Sequence, residues 1–233
     1  MDKIKFLTPI DGTMLCDKAG IRRATFYKHF DDKFIYMPYS ATAGIVLKRF
    51  RDTVAPYVKE EAKRRGVSSY SIIDEMAKKA PAGSGGVILN PDFTNGGAFL
   101  GLTLSTSAND LARSVLEGVA YMLKGLVDSV ESQGVAVSEI LSLGGGAYSD
   151  IWGEIKASVL EKKITQVGYN QTTALGAAML ASVAVGVYKS VEEAVSKVKI
   201  MGKTFIPDEK DKEVLDLITI MVADITPEHD SKL

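Results

Sequence analysis

The sequence lacks the features that would assign it to secretion or to a membrane. Cys16 is the only cysteine among the 233 residues, so one chain can form neither a disulfide framework nor a cysteine-based metal site, which fits a reducing compartment. The N-terminal stretch MDKIKFLTPIDG has no apolar run long enough for a signal peptide, and ALGAAMLASVAVGVY, at 174–188, is short for a bilayer span. We therefore expect a cytoplasmic protein with no membrane contact.

The chain also has almost no net charge. Its formal net charge is -1 and its basic residues are spread along the sequence, so it has no general attraction to a polyanion. DNA binding would have to be local, and nucleic acid is not an expected partner. The terminal Ser231-Lys232-Leu233 has the form of a peroxisomal address, but we interpret it as the end of a polar tail at 226–233.

What is present is enough apolar material for a folded core. Hydrophobic residues make up 46% of the chain and charged residues 24%, which fits one large domain or two small ones. PAGSGG, at 81–86, has the composition of a loop and is the internal position where a boundary could fall.

Periodicity predicts an alternation of strands and helices. The predicted helices lie at 44–54, 57–65, 69–79, from Asp110 onward, 150–161, 173–188 and 210–224, and the predicted strands at 3–10, 86–90, 98–104, 139–143 and 163–169. The helix that Asp110 starts is the strongest, with apolar residues on one face at Leu111, Val115, Val119, Met122, Leu126 and Val130. The terminal helix has Val214, Leu217, Ile218 and Met221 on one side. Such alternation indicates an α/β domain with helices packed on a sheet.

Three glycines stand between a predicted strand and a predicted helix in LSLGGGAYSD, at 141–150. Glycine permits a positive φ and close approach of a ligand to the backbone, and the N-terminus of a helix offers unpaired N–H groups to an anion. The same glycines also suit a tight structural turn. From spacing alone, both interpretations stay open.

A longer stretch resembles a known family. In GAFLGLTLSTSANDLARSVLEGVAYML, at 97–123, the positions that match the C-terminal signature of the FGGY carbohydrate kinases are Gly97, Phe99, Gly101, Leu102, Asp110, Leu111, Ser114, Val115, Leu116 and Glu117. Downstream, SEILSLGGGAYSDIWGEIKASVL is similar to the adenosine-binding segment of that family, and TTALGAAMLASVAVGVYKSVEEAV is similar to the helix that follows it. Upstream, Gly12-Thr13 resembles the second phosphate loop, and YSATAGIVLKRFRD resembles a helix that faces the nucleotide.

The resemblance implies a fold, a function and a set of site residues. The implied fold is α/β, the actin-like (ribonuclease-H-like) ATPase domain with helices on both faces of a mixed sheet, and residues 1–233 would form one C-terminal, nucleotide-binding domain. The implied function is phosphoryl transfer from ATP, with Mg²⁺, to a sugar or polyol, with a xylulose-like substrate favoured. The implied ATP-binding residues are Gly12, Thr13, Gly44, Lys48, Gly144, Gly145, Gly146, Ala147 and Asp150.

Two departures from the family pattern limit what this chain does alone. The family's N-terminal domain, which carries most sugar contacts and the general-base aspartate, has no counterpart here, and Asp11 is a poor substitute because it lies in the turn itself. The connection NPDFTNGG, at 90–97, is shorter than the loop that helps to close the cleft in many relatives. We therefore expect half of a kinase, without its own catalytic base or metal-ligating residues, inactive until it shares the sugar with an N-terminal domain. A homodimer is left open.

Two other classes of protein remain as alternatives. Residues 15–34 resemble the helix-turn-helix of tetracycline-repressor-type regulators, in which Arg22, Arg23, Thr25, Tyr27, Lys28 and His29 would face DNA. Pro9, Gly12 and Pro38 interrupt the flanking helices that such a domain needs, whereas TFYKHF and FIYMPY suit a β-hairpin. The second alternative is a non-catalytic interaction module with the actin-like fold.

Overall fold

The computed structural model describes residue 40 and residues 43–93, 96–169, 171–198 and 201–225. The predicted strand at 3–10, the Gly12-Thr13 turn, the hairpin or helix-turn-helix before residue 40 and the polar tail lie outside these residues. Everything below concerns the part of the chain that is described.

Helices make up most of the described chain. In chain order they are α1 (Gly44–Arg49), α2 (Tyr57–Arg65), α3 (Ser69–Lys79), α4 (Ala108–Glu131), α5 (Asp150–Leu160), α6 (Thr172–Ala184), α7 (Val191–Ser196) and α8 (Glu209–Ile225). One π-helical turn, Phe50–Val54, continues α1, and short 3₁₀ turns lie at Ser84–Gly86 and Gly145–Tyr148. Serine hydroxyls at Ser68, Ser107 and Ser149 accept the first free backbone N–H groups of α3, α4 and α5, which fixes where these helices begin.

The strands form two small sheets. β1 (Ile88–Asn90) pairs antiparallel with β2 (Ala98–Leu100). In the second sheet the order is β3 (Glu139–Ser142), β4 (Lys163–Val167) and β5 (Met201–Phe205), with β3 parallel to β4 and β5 antiparallel to it. The second sheet is therefore mixed, as predicted.

Helix α4 is the centre of the packing. It lies against α3, α5 and β1, and its side chains from Ala112 to Tyr121 are buried on every side. Gly118 makes this possible, because a Cβ there would lie 2.5 Å from the backbone oxygen of Leu89. The core extends on both sides of the 81–86 loop, from Ile73 in α3 to Leu89 in β1, so one hydrophobic core spans that loop.

Several element predictions needed correction. Helix α4 begins at Ala108, and Asp110 is its third residue. Asp110 completes a capping box in which its carboxylate accepts the Ser107 N–H. The strand predicted at 98–104 ends at Leu100, because Gly101 has a φ of 76° and touches Gly86. In α8 the buried residues are Leu215 and Ile218, whereas Leu217 and Met221 are 59% and 52% exposed.

No helix in the described ranges is both long and apolar enough to cross a lipid bilayer.

Candidate functional site

The three glycines form the connection between β3 and α5. Gly144 has a φ of 85°, the region that favours glycine, and a Cβ at Gly144 or Gly145 would meet nothing within 4 Å. Gly146 differs, because a Cβ there would lie 2.7 Å from the Trp152 ring. The turn therefore has an open side at Gly144 and Gly145 and a packed side at Gly146. Gly146 fits the interpretation as a structural turn, and ligand binding at Gly144 and Gly145 stays a prediction.

Trp152 anchors the packed side of the turn. It is buried in the core, and its indole N–H donates to the backbone oxygen of Leu116 in α4 at 3.1 Å. The turn is thereby held on the central helix through Trp152.

The N-terminus of α5 follows directly. The Ser149 hydroxyl accepts the Trp152 backbone N–H at 3.2 Å and donates to the Asp74 carboxylate of α3 at 2.8 Å. Burial raises the pKa of Asp74, and the Ser149 hydrogen bond opposes that rise. Asp150 forms an ion pair with Lys203 of β5, so its carboxylate already has a cationic partner.

Lys156 lies on the second turn of α5, beneath the end of β3. Only 8% of it is exposed; its ammonium donates to the Ser142 hydroxyl at 3.0 Å and lies 5.2 Å from the centre of the Trp152 ring. Burial lowers the pKa of Lys156 to about 8. Lys156 was not predicted from the sequence; the available signal was a lysine four residues after a tryptophan on the apolar face of a predicted helix.

Gly44 and Lys48 lie one turn apart on α1, as predicted. Both are exposed, and the Lys48 ammonium pairs with Asp52 at 2.9 Å. Asp52 also binds Arg51 and Lys59, and these three cations hold the pKa of the Asp52 carboxyl well below its usual range, with Lys48 the largest contributor. Lys48 is thus one member of a surface ion cluster.

The predicted site residues fall into two groups. Gly144, Gly145, Gly146, Ala147 and Asp150 form one continuous segment, with Ala147 buried and Gly145 exposed. Gly44 and Lys48 belong to α1, which packs on α4. Gly12 and Thr13 lie outside the described residues.

A buried charge pair lies elsewhere in the core, next to the 81–86 loop. The Arg113 guanidinium donates to Glu117 at 2.7 Å, and the same carboxylate accepts the Ser84 hydroxyl at 2.7 Å and the Gly83 N–H at 3.1 Å. Burial raises the pKa of Glu117, and these three donors oppose the rise. The pair ties the loop to α4, which is the structural role we assign to Glu117.

Apolar side chains line a cavity of about 180 Å³ between α1 and the β1–β2 sheet. Its walls include Phe50, Phe93 and Phe99, with Arg49 at one side. In the described ranges, no three His, Cys, Asp or Glu side chains are grouped so that they could hold a metal ion.

The geometry of the glycine turn can serve an anion. The open backbone at Gly144 and Gly145 leads into the N-terminus of α5, where peptide N–H groups and the helix dipole favour negative charge. From a strand, an open glycine turn and a capped helix in this order, we expect an α/β nucleotide-binding domain.

Comparison with known proteins establishes the family. The description "FGGY family of carbohydrate kinases, C-terminal domain" matches residues 58–185, more than half of the chain. The chain therefore belongs to the FGGY family of carbohydrate kinases, and its fold is the actin-like ATPase fold. The matched range does not include residues 15–34, so it lends no support to a helix-turn-helix there.

Individual relatives agree with the family match. The chain is 34% identical to a ribulokinase from Halalkalibacterium halodurans over 64% of this chain and 29% of that protein, and 28% identical to a gluconokinase from Bacillus licheniformis over 77% and 37%. Among solved structures it is similar to xylulose kinase from Rhodospirillum rubrum, with a TM-score of 0.67 and 26% identity over 78% of this chain and 37% of that one. The chain thus spans about a third of the length of these relatives.

Proposed function

We propose that this chain is the nucleotide-binding half of an ATP-dependent carbohydrate kinase of the cytoplasm. The single observation that carries the proposal is the glycine turn at 144–146, open at Gly145 and packed on Trp152 at Gly146, in a domain of the FGGY family. ATP would bind along Gly144–Ala147 and the start of α5, and α1 would contribute Gly44 and Lys48.

The roles of the residues follow from their geometry. When bound, ATP with Mg²⁺ supplies the phosphoryl group and the charge neutralisation that phosphoryl transfer needs. The glycine turn admits the nucleotide to the backbone, and the α5 N-terminus stabilises negative charge. Lys48 would have to exchange Asp52 for the nucleotide; the carboxylate would remain paired with Arg51 and Lys59.

The acceptor and the catalytic base complete the proposal. We favour a xylulose-like sugar, and the names of the relatives make xylulose, ribulose and gluconate the panel to assay. The general base and most sugar contacts would come from an N-terminal kinase domain, which is the partner that we propose. A homodimer is compatible with this arrangement.

The binding test uses Gly145→Asp, because a Cβ at that position would meet nothing within 4 Å among the described residues. We expect at least a tenfold weaker affinity for ADP and ATP by calorimetry, since the new carboxylate would occupy the open side of the turn and repel phosphates. Gly146→Asp is less informative, because it clashes with Trp152. Gly125→Asp, on an open part of α4, is the matched control. Unchanged nucleotide affinity in Gly145→Asp, or no affinity in the wild-type chain, would favour a non-catalytic interaction module.

A further inference from the structure

The cavity between α1 and the β1–β2 sheet lies apart from the residues proposed to bind ATP. Val46 of α1 and Phe50 of the π-helical turn line it, and Gly44 and Lys48 do not. With 3.6 residues per turn, Val46 and Phe50 lie on the opposite face of this helical segment from Gly44 and Lys48. The cavity is therefore a second concave site, on the other side of α1 from the proposed nucleotide contacts.

The cavity is apolar at its inner end and has a cation at its mouth. Leu89 of β1 and Val115 of α4, which form the inner end, are buried. Arg49 and Phe93, which also line the cavity, are exposed. A molecule that enters from solvent therefore meets apolar side chains with its leading end and a guanidinium with its outer end.

Three phenylalanine rings form much of the wall. The rings of Phe50 and Phe99 lie 6.5 Å apart at 59°, and the Phe93 ring packs on Gly97, where a Cβ would lie 2.8 Å from it. Aromatic side chains arranged at such angles offer faces and edges to a further ring. An apolar cavity of about 150 Å³ holds one benzene molecule. The 180 Å³ present here is therefore enough for one six-membered aromatic ring.

The Arg49 guanidinium is available for an anion. Asp52 is the acidic residue of the segment 43–59, and it is already bound by three other cations. Among the described residues, the Arg49 side chain has neither an ion pair nor a hydrogen-bond partner. A guanidinium matches a carboxylate with two parallel hydrogen bonds. One unpaired cation at the mouth suits a monoanion, whereas a phosphate dianion would need a second cation beside it.

The helix is distorted where it borders the cavity. In the π-helical turn Phe50–Val54, the Ala55 N–H donates to the backbone oxygen of Phe50 at 2.9 Å, five residues back. Phe50, Thr53 and Val54 of this turn all line the cavity. Single π-helical turns are rare and occur frequently at functional sites. The distortion is therefore a second observation, independent of the charge, that indicates a ligand at this wall.

We propose that this cavity binds a small aromatic carboxylic acid. The ring lies among Phe50, Phe93 and Phe99, and the carboxylate pairs with the Arg49 guanidinium at the mouth. The site goes beyond the proposed kinase function and contains none of the residues assigned to ATP. Its failure would therefore leave the proposed function standing, and the reverse also holds.

The first experiment compares phenylacetate with phenylacetamide, which has nearly the same shape and no charge. For a ligand of about ten non-hydrogen atoms we expect a Kd of about 1 mM or tighter for the acid by calorimetry on the full chain. The amide should bind about tenfold more weakly, because it lacks the charge-assisted pair with Arg49. Arg49→Gln should remove that difference, and Arg64→Gln, at an exposed arginine of α2, is the matched control and should keep it. No saturable binding of the acid, or a difference that persists in Arg49→Gln, would overturn the proposal.

The second experiment locates the ring. Phe93→Ala removes part of the aromatic wall and should weaken acid and amide alike, by about threefold or more. Tyr169→Ala removes an aromatic side chain of similar exposure outside the cavity and should change neither affinity. In amide NMR spectra, phenylacetate should shift resonances of residues 46–54 and 88–93. Shifts centred on 141–150 would place the acid at the glycine turn, and an unchanged affinity in Phe93→Ala would remove the ring from the cavity; either result overturns the proposal.

Discussion

Arg113 and Glu117 form an ion pair inside the core, with side chains 8% and 1% exposed. Removing one partner leaves the other charge buried, so we expect Arg113→Met to destabilise the fold by about 3–5 kcal/mol in urea unfolding. The double variant Arg113→Met with Glu117→Leu should recover most of that loss, because no buried charge remains.

The exposed pair Lys124–Asp128 in the same helix is the control for that prediction. Lys124→Ala should cost less than about 1 kcal/mol, because solvent screens the pair. Equal losses at the two sites would contradict the role assigned to burial.

Lys156 gives a prediction about pH. In the folded chain burial lowers the pKa of Lys156 to about 8, against 10.5 for an ordinary lysine. Between these values the unfolded chain binds more protons, so stability should rise with pH from about 8 to 10.5, by up to about 3 kcal/mol, and the full cost is present below pH 8. Urea unfolding of the unchanged chain across this range measures the slope, and Lys156→Met should abolish it. A flat profile in the unchanged chain would show that Lys156 is not a buried cation.

The sequence predicted the residues of the glycine turn but not the charges around it. Gly144 and Gly145 were recognisable because glycines between a predicted strand and a predicted helix indicate either a tight turn or a ligand site. Lys156 was not, because a lysine in a helix is usually solvated, and its burial depends on how closely α5 packs against β3. The ion pair of Asp150 with Lys203 joins residues far apart in sequence, which spacing cannot reveal.

Two glycines of α4 give opposite predictions at the scale of the element. Gly118 touches the backbone of Leu89, so Gly118→Ala should destabilise the fold by about 1–3 kcal/mol, because backbone cannot move aside easily. Gly125 has open space at its Cβ position, so Gly125→Ala should stabilise the helix by about 0.5–1 kcal/mol. Thermal unfolding of the two variants measures the difference, and a shift of the same sign in both would contradict the packing described for Gly118.

The positions of the helices along the chain were more predictable from the sequence than the face that each helix buries. The predicted bounds of α2 and α3 agree with the structure, since the Ser68 cap and Gly66 at the end of α2 are local signals. The apolar face of α4 was also correct, with Val115, Val119 and Val130 buried. The predicted buried face of α8 was wrong because apolar residues occur on all sides of this helix. Only its contacts with α4, α5 and β1 determine that Leu215 and Ile218 are the buried residues.

At the scale of the whole molecule, the chain spans about a third of each relative reported above. We propose that it binds ATP but shows no sugar-dependent release of ADP by itself, because the general base would lie in the N-terminal domain. A coupled assay for ADP with xylulose, ribulose or gluconate tests this, and the control is nucleotide binding measured on the same preparation. Steady turnover of any of these sugars by the chain alone would contradict the division of labour between two domains.

Helix α6 carries no charged residue between Thr172 and Ala184, and none of its side chains is buried in the described structure; Leu180 is 61% exposed. The consequence concerns how the protein behaves in solution. Attraction between apolar surfaces weakens on cooling, so self-association through α6 should be smaller near 4 °C than at 25 °C. A glutamate in place of Leu180 should suppress it at both temperatures, which makes light scattering against temperature a simple measure of how much of this helix stays uncovered.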